Sequence, residues 1–140
     1  MLNLVLIDGN SLLNRAFYAT KHLTTKSGIP TNAVFGFTKL LLKIIGDIKP
    51  DRLIVTFDLK APTFRHKMYE GYKATRKPMP DDLAAQLGML KSLLQSMRIA
   101  MCEKAGYEAD DLIGTLSHKF ECVKIIVISG DCDSYQLIDE

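Results

Sequence analysis

Three short apolar runs in this chain each stop at an acid. Leu2–Ile7 runs into Asp8, Leu53–Phe57 runs into Asp58, and Val123–Ser129 runs into Gly130-Asp131-Cys132-Asp133. The first two read as buried strands and the third as a strand, the pattern of a parallel sheet. Segments at helical spacing separate them. The first passes through Leu12, Leu13, Ala16 and Phe17, with Asn10 or Ser11 available as its cap. A long one from about Thr31 to Ile48 presents Leu40, Leu41, Ile44, Ile45 and Ile48. A third follows Asp81 with Leu83, Leu87, Leu90 and Leu94, and a fourth runs from about Tyr107 to Phe120. With a short strand at Ile99–Cys102, the alternation predicts an α/β protein: a mostly parallel central sheet with helices on both faces and right-handed crossovers.

In open parallel sheets, ligands bind beyond the carboxyl ends of the strands. Asp8, Asp58, Asp131 and Asp133 follow strand ends there, and Glu108, Asp110 and Asp111 open the helix after the short third strand. Each has an ordinary reading. Asp8 in Asp-Gly-Asn can be a turn residue, acids in a first helical turn complement the helix dipole, and Asp131 and Asp133 can cap a following short helix. Seven together are harder to explain so. Clustered carboxylates repel and raise one another's pKa unless a cation joins them. All-oxygen donors suit Mg²⁺ or Mn²⁺. A cluster able to hold two ions about 4 Å apart is the usual equipment for phosphodiester hydrolysis.

The net charge of +2 conceals an uneven layout. Residues 1–80 carry 13 Lys/Arg against 5 Asp/Glu, whereas residues 81–140 carry 5 against 11. A basic half suits a polyanion and an acidic half suits cations, so nucleic acid with metal meets both. Residues 59–80 are basic, aromatic and bounded by prolines. There Tyr69, Tyr72, Lys73 and Arg76 fall at i, i+3, i+4 and i+7, and as a helix they would form one stripe of phenols and cations. Aromatic faces stack on bases and cations contact phosphates, as single-stranded nucleic acid requires. Phe64-Arg65-His66-Lys67 adds cations upstream, and Arg15 and Lys39 could extend the footprint. Gly36, between Phe35 and Phe37, permits close backbone approach to DNA or to another helix.

Other classes lose support. Lys39 and Lys43 interrupt the best apolar stretch short of the roughly 18 residues a membrane span needs. Met1 leads straight into a strand-like run without the form of a signal peptide. Three cysteines (Cys102, Cys122, Cys132) without C-x-x-C spacing fit a reducing cytoplasm better than a disulfide framework. His22, His66 and His118 have no partner pattern for zinc. G-x-S-x-G, P-loop and G-x-G-x-x-G motifs are missing, which removes the common serine hydrolase, kinase and dinucleotide signatures.

Taken in order, Leu6-Ile7-Asp8-Gly9-Asn10-Ser11-Leu12, Pro30-Thr31-Asn32-Ala33-Val34-Phe35-Gly36-Phe37, Phe57-Asp58, Thr63-Phe64-Arg65-His66, Tyr72-Lys73-Ala74-Thr75-Arg76, Gly106-Tyr107-Glu108-Ala109-Asp110-Asp111 and Ser129-Gly130-Asp131-Cys132-Asp133 form a specific set. The chain resembles the 5′-3′ exonuclease domain of bacterial DNA polymerase I, within the 5′-nuclease and flap endonuclease family. The resemblance covers residues 1–140 and implies a PIN-like core that cleaves DNA near 5′ ends and flaps with divalent metal, in replication and repair. It makes Asp8, Asp58, Glu108, Asp110, Asp111, Asp131 and Asp133 the metal-site acids for two Mg²⁺ or Mn²⁺ ions. It makes residues 63–80 a helical arch over the entering strand. Lys73 and Arg76 become the cations at the scissile phosphate, Tyr72 a stacking aromatic, and Arg65 and Arg15 further phosphate contacts. Cys132 departs from the pattern at an often basic position. The family continues with two more aspartates and a helix-hairpin-helix that the 140 residues do not supply, so an N-terminal part of such a domain is expected, with a polymerase domain conceivable in a longer parent. A non-catalytic DNA-binding fragment and a PIN-type ribonuclease are the alternatives.

Overall fold

The computed structural model describes residues 1–59, 63–73, 77–121 and 123–138. Its strands are β1 (Leu2–Asp8), β2 (Arg52–Thr56), β3 (Ala100–Cys102) and β4 (Val123–Ile128). They pair in parallel in the order β3-β2-β1-β4. The register sets Asp8 beside Thr56 and Ile7 beside Ile128, so β1, β2 and β4 end at one edge of the sheet. The expected parallel α/β architecture is the one observed.

Strand side chains alternate between two cores, as a period of 2 requires. Val5, Ile7, Val55 and Phe57 pack with α1 (Gly9–Ala19), α2 (Asn32–Ile48) and α4 (Asp81–Ser96). Leu4 and Leu6 point the other way and pack with Ile113 and Leu116 of α5 (Ala109–Lys119). Helices therefore cover both faces. The first core is the larger, with Phe37, Phe57, Leu13, Leu41, Leu90 and Leu94 all buried. Burial of each such side chain contributes about 1.5–3 kcal/mol before chain entropy is charged against it.

Gly36 settles where its close approach is directed. A Cβ there would strike Thr20 and come within 3.1 Å of the Ala16 Cβ, so α2 lies directly on the end of α1. A buried amide fixes the other end of the contact. Gln86 of α4 accepts from the N–H groups of Ala33 at 2.7 Å and Val34 at 3.1 Å, and donates to Asn32 Oδ1 at 2.9 Å. Asn32 donates in turn to the Phe17 carbonyl at 2.9 Å. The orphan donors of the α2 N-terminus are thus satisfied from another helix.

Two local expectations change. The cap of α1 is Asp8, not Asn10 or Ser11: its carboxylate accepts from the Ser11 N–H at 3.0 Å, so the helix begins directly after the strand. The stripe Tyr69–Tyr72–Lys73–Arg76 does not lie on a helix as far as it is described. A five-residue helix, α3 (Phe64–Met68), ends at Tyr69 in extended geometry (φ −142°), residues 70–73 turn, and Lys73 takes φ +57°. Gly71 costs about 1 kcal/mol of helix propensity, and the Tyr72 and Lys73 side chains are drawn to Glu108 instead. Arg76 lies outside the described residues. Among the described residues, no helix is long and apolar enough to cross a membrane.

Candidate functional site

The acids at the strand ends are fixed by hydrogen bonds to the loop and helix residues beside them. Asp8 caps α1 with one oxygen, and Ser129 donates to its other oxygen at 3.4 Å. Asp58 accepts the Ala109 N–H at 2.6 Å, which fastens the end of β2 to the start of α5. Its own N–H donates to Asn10 Oδ1 at 2.8 Å, binding it back to α1. Gly9 is needed at this junction because a Cβ would collide with the Phe57 ring. Ser129 also accepts the Asp131 N–H at 3.0 Å, and Asp131 accepts the Asp133 N–H at 3.0 Å to start a 3₁₀ turn over Cys132–Leu137.

These bonds gather Asp8, Asp58, Glu108, Asp110 and Asp131 on one cleft of about 740 Å³, which Lys73 and Lys77 also line. Asp133 and Asp111 lie on an adjoining cleft of about 500 Å³ that shares Glu108, Asp110 and Asp131. The seven acids predicted from sequence are therefore brought to the same end of the sheet. Among the described residues, no three of them close on a single point as a finished coordination sphere.

The electrostatics divide the seven. Burial, then the charge of Asp8, pushes the Asp110 carboxyl up to about 7, with Asp131 and Asp58 adding to the effect. Asp8 is also raised, first by its burial and further by Asp58. Asp110 Oδ1 is buried without a hydrogen-bond partner. A buried carboxylate oxygen with no donor, among like charges, is suited to a hard cation. The donor set fits Mg²⁺ or Mn²⁺.

Glu108 and Asp111 are in the opposite condition. Arg65 Nη1 and Nη2 donate to the two Asp111 oxygens at 2.9 and 2.8 Å, and Nη1 also reaches Glu108 at 3.3 Å. Lys73 Nζ lies 2.6 Å from Glu108 Oε1, and the Tyr72 hydroxyl donates to Glu108 at 3.1 Å. The guanidinium holds the Asp111 carboxyl below the usual carboxylate range. Arg65, Tyr72 and Lys73, expected at DNA, thus meet acids here. Arg15, exposed on α1, lines an adjoining cavity that shares Asp131 and Cys132 with the acid cleft.

Sequence reasoning offered Asn10 and Ser11 only as helix caps and did not single out Ser129, yet all three hold the acids in place. Each lies within three positions of a strand-end acid, in Asp-Gly-Asn-Ser and Ser-Gly-Asp, and that adjacency was the available signal.

Comparison of folds places this molecule among 5′-nucleases. A T5 5′-exonuclease structure with divalent zinc bound superposes with a TM-score of 0.68 at 21% identity, covering 98% of this chain and 52% of that one. A T5 flap endonuclease complex with DNA and metal ions gives 0.60 at 20% identity, over 91% of this chain and 49% of that one. The fold is therefore that of a 5′-nuclease. The chain itself belongs to the 5′-3′ exonuclease N-terminal, resolvase-like domain family, whose model matches residues 3–140. DNA polymerase I of Caldicellulosiruptor bescii is 45% identical over 99% of this chain, and the thermostable DNA polymerase I of Thermus aquaticus is 44% identical over 97%. The chain spans 17% and 16% of those two relatives' lengths.

Proposed function

We propose that this chain is the metal-binding part of a DNA 5′-nuclease that hydrolyses phosphodiester bonds near 5′ ends and flaps. The observation that carries it is the cleft lined by Asp8, Asp58, Asp110 and Asp131, with an unpartnered Asp110 oxygen and with Lys73 and Lys77 in the same lining. Those acids, with Asp133 at the margin and with Glu108 once Lys73 has left it for a phosphate, would hold divalent ions, Mg²⁺ or Mn²⁺. Bound there, the ions would supply positive charge to the phosphodiester and acidify water.

The chain's own residues do the rest. Asp8, through the α1 cap and Ser129, keeps its carboxylate at the cleft wall. Asp58 is held there by the Ala109 and Asn10 contacts. Lys73 and Arg76 offset charge on the phosphoryl oxygens, Tyr72 stacks on the terminal base, and Arg15 contacts the backbone away from the cleft. Release of Lys73 from Glu108 to a phosphate keeps the cation paired in both states. The T5 complex with DNA and metal ions and the DNA polymerase I relatives support this reading. A polymerase domain in a longer parent chain would agree with it.

Cleavage of a labelled 5′-flap duplex with Mg²⁺, beside EDTA and Asp110→Asn controls, tests the proposal. Cleavage at the flap that vanishes in both controls is the expected result. Binding without cleavage at any Mg²⁺ or Mn²⁺ concentration would reduce the chain to a DNA-binding unit. Cleavage of single-stranded RNA after residues 63–79 were removed would favour a ribonuclease.

A further inference from the structure

Arg65 has a more specific role open to it than holding a phosphate. Its guanidinium meets Asp111 as a fork on a fork, two near-parallel bonds of 2.9 and 2.8 Å, the geometry in which Arg and carboxylate bind most strongly. Asp111 has little left to offer a cation. Its Oδ2 also accepts the Glu108 N–H at 2.9 Å, so three donors occupy its two oxygens. Neighbouring Asp110 is the opposite, with one buried oxygen unpartnered. Asp110 lines the cleft that holds Asp8 and Asp58, and Asp111 does not. About 100° of helix rotation separates the two.

The other side of the contact is α3. Its Phe64 N–H donates to the Gly106 carbonyl at 3.0 Å, and the Phe64 ring sits 6.0 Å from that of Tyr107. Arg65 itself lies over the Phe64 ring at 4.5 Å. No residue of this five-residue helix is buried, so it has no core of its own to hold it. Among the described residues, its attachment to the body is the Phe64 backbone bond, the Phe64–Tyr107 ring pair and the clamp on Asp111 and Glu108.

We propose that Arg65 is a positioning residue which, by clamping Asp111 and Glu108, fixes the root of segment 63–80 beside the acid cleft, with Asp111 as its anchor rather than a metal ligand. Arg65 then contacts no phosphate, and Tyr72 and Lys73 are presented at the clefts because their root is fixed. This rests on the nuclease reading above and deepens it.

The test uses the full chain with Arg65→Lys, Arg65→Gln, Asp111→Asn and Asp110→Asn. Mn²⁺ binding without DNA is followed by electron paramagnetic resonance, and 5′-flap DNA binding is followed in EDTA across a salt series. Asp111→Asn keeps the parent's Mn²⁺ stoichiometry, with affinity within about twofold, whereas Asp110→Asn loses binding. Arg65→Gln and Asp111→Asn each weaken DNA binding about fivefold at every salt concentration, and the double variant is no worse than the weaker-binding single. A lost phosphate contact would flatten the log–log salt slope by about 0.7–0.9; here the slope stays unchanged. Arg65→Lys fails to rescue, because an ammonium cannot make the fork. Trypsin cleavage after Lys67 or Lys73 quickens in each single variant and no further in the double.

Loss of an Mn²⁺ ion in Asp111→Asn, a flattened slope in Arg65→Gln, rescue by Arg65→Lys, or additive proteolysis overturns the clamp. Unaltered Mn²⁺ binding in Asp110→Asn overturns the metal-site reading instead. In that case the salt slope and the proteolysis still decide for or against the clamp.

Discussion

Asp110 and Asp111 are consecutive aspartates in one helical turn, and the fold puts them in opposite electrostatic conditions. Asp110 turns toward Asp8, Asp58 and Asp131, and its carboxyl is pushed up to about 7 by burial and by the Asp8 charge. Asp111 turns toward Arg65, whose hydrogen bonds hold it below the usual carboxylate range. The same contrast runs through the whole site. One group of acids is crowded among like charges and held by backbone N–H and hydroxyl groups, while Glu108 and Asp111 are answered by cations of segment 63–73. Residue type does not decide whether a carboxylate can take a metal ion. The donors already occupying its oxygens decide it.

Removing an acid from the crowded side should have the greatest effect. Under the proposed function, Asp110→Asn lowers flap cleavage by about 10²–10³-fold while raising metal-free stability above neutral pH, because a buried like charge is gone. Turnover assays paired with thermal unfolding in EDTA check both halves. Retained cleavage would erase the distinction between the two acid groups.

A change on the compensated side is expected to be smaller. Lys73→Ala lowers turnover by about 10²-fold, the scale of one lost donor to a developing phosphoryl charge, and single-turnover kinetics on a flap substrate measure it. A loss confined to DNA affinity would assign Lys73 to grip alone. Gly9→Ala then probes the frame beneath the crowded acids. Its methyl group meets the Phe57 ring, and overpacking of this kind costs about 1–3 kcal/mol, read from urea unfolding.

The smallest effect sharpens the comparison most directly. Folded Asp110 keeps a proton that the unfolded chain has already lost between its ordinary 3.8 and about 7. Metal-free stability should therefore fall as pH rises through that window, and Asp8, also raised, acts in the same direction. Asp111 has the reverse sign: its depressed pKa contributes stability above 3.8 that is lost as pH falls through its folded value. The midpoint of thermal unfolding in EDTA should peak at mildly acid pH, and Asp110→Asn should flatten the limb above the peak. A midpoint that rose steadily to pH 8 would contradict the assignment.

Much of the fold was legible. Leu2–Asp8 and Leu53–Asp58 announced buried strands because a strand in a parallel sheet has no polar face to betray by alternation, whereas Val123–Ser129 announced a strand that lies at the sheet edge, exposed or half-buried. The acids at their ends were legible for the same reason, since a charge that stops an apolar run sits where the chain leaves the sheet. The α1 cap was misplaced by two or three residues because Asp8 serves strand, cap and cleft together. The helix through Tyr69, Tyr72 and Lys73 failed because periodicity within a segment says nothing about an acid 36 positions away, and Glu108 is where the Tyr72 hydroxyl ends.

The order of residues alone determined the strand-and-helix alternation, the seven acids at one edge, and a basic segment between Asp58 and Asp81. Those follow from local periodicity and from the rule that parallel strands end together. Only the tertiary structure decided which acids were paired and which were left bare. That outcome depends on side chains 43 to 51 residues apart, Arg65 with Glu108, Arg65 with Asp111 and Asp58 with the Ala109 N–H. Coulomb energy depends on distance and burial, and neither exists along the chain until the sheet has brought these groups together.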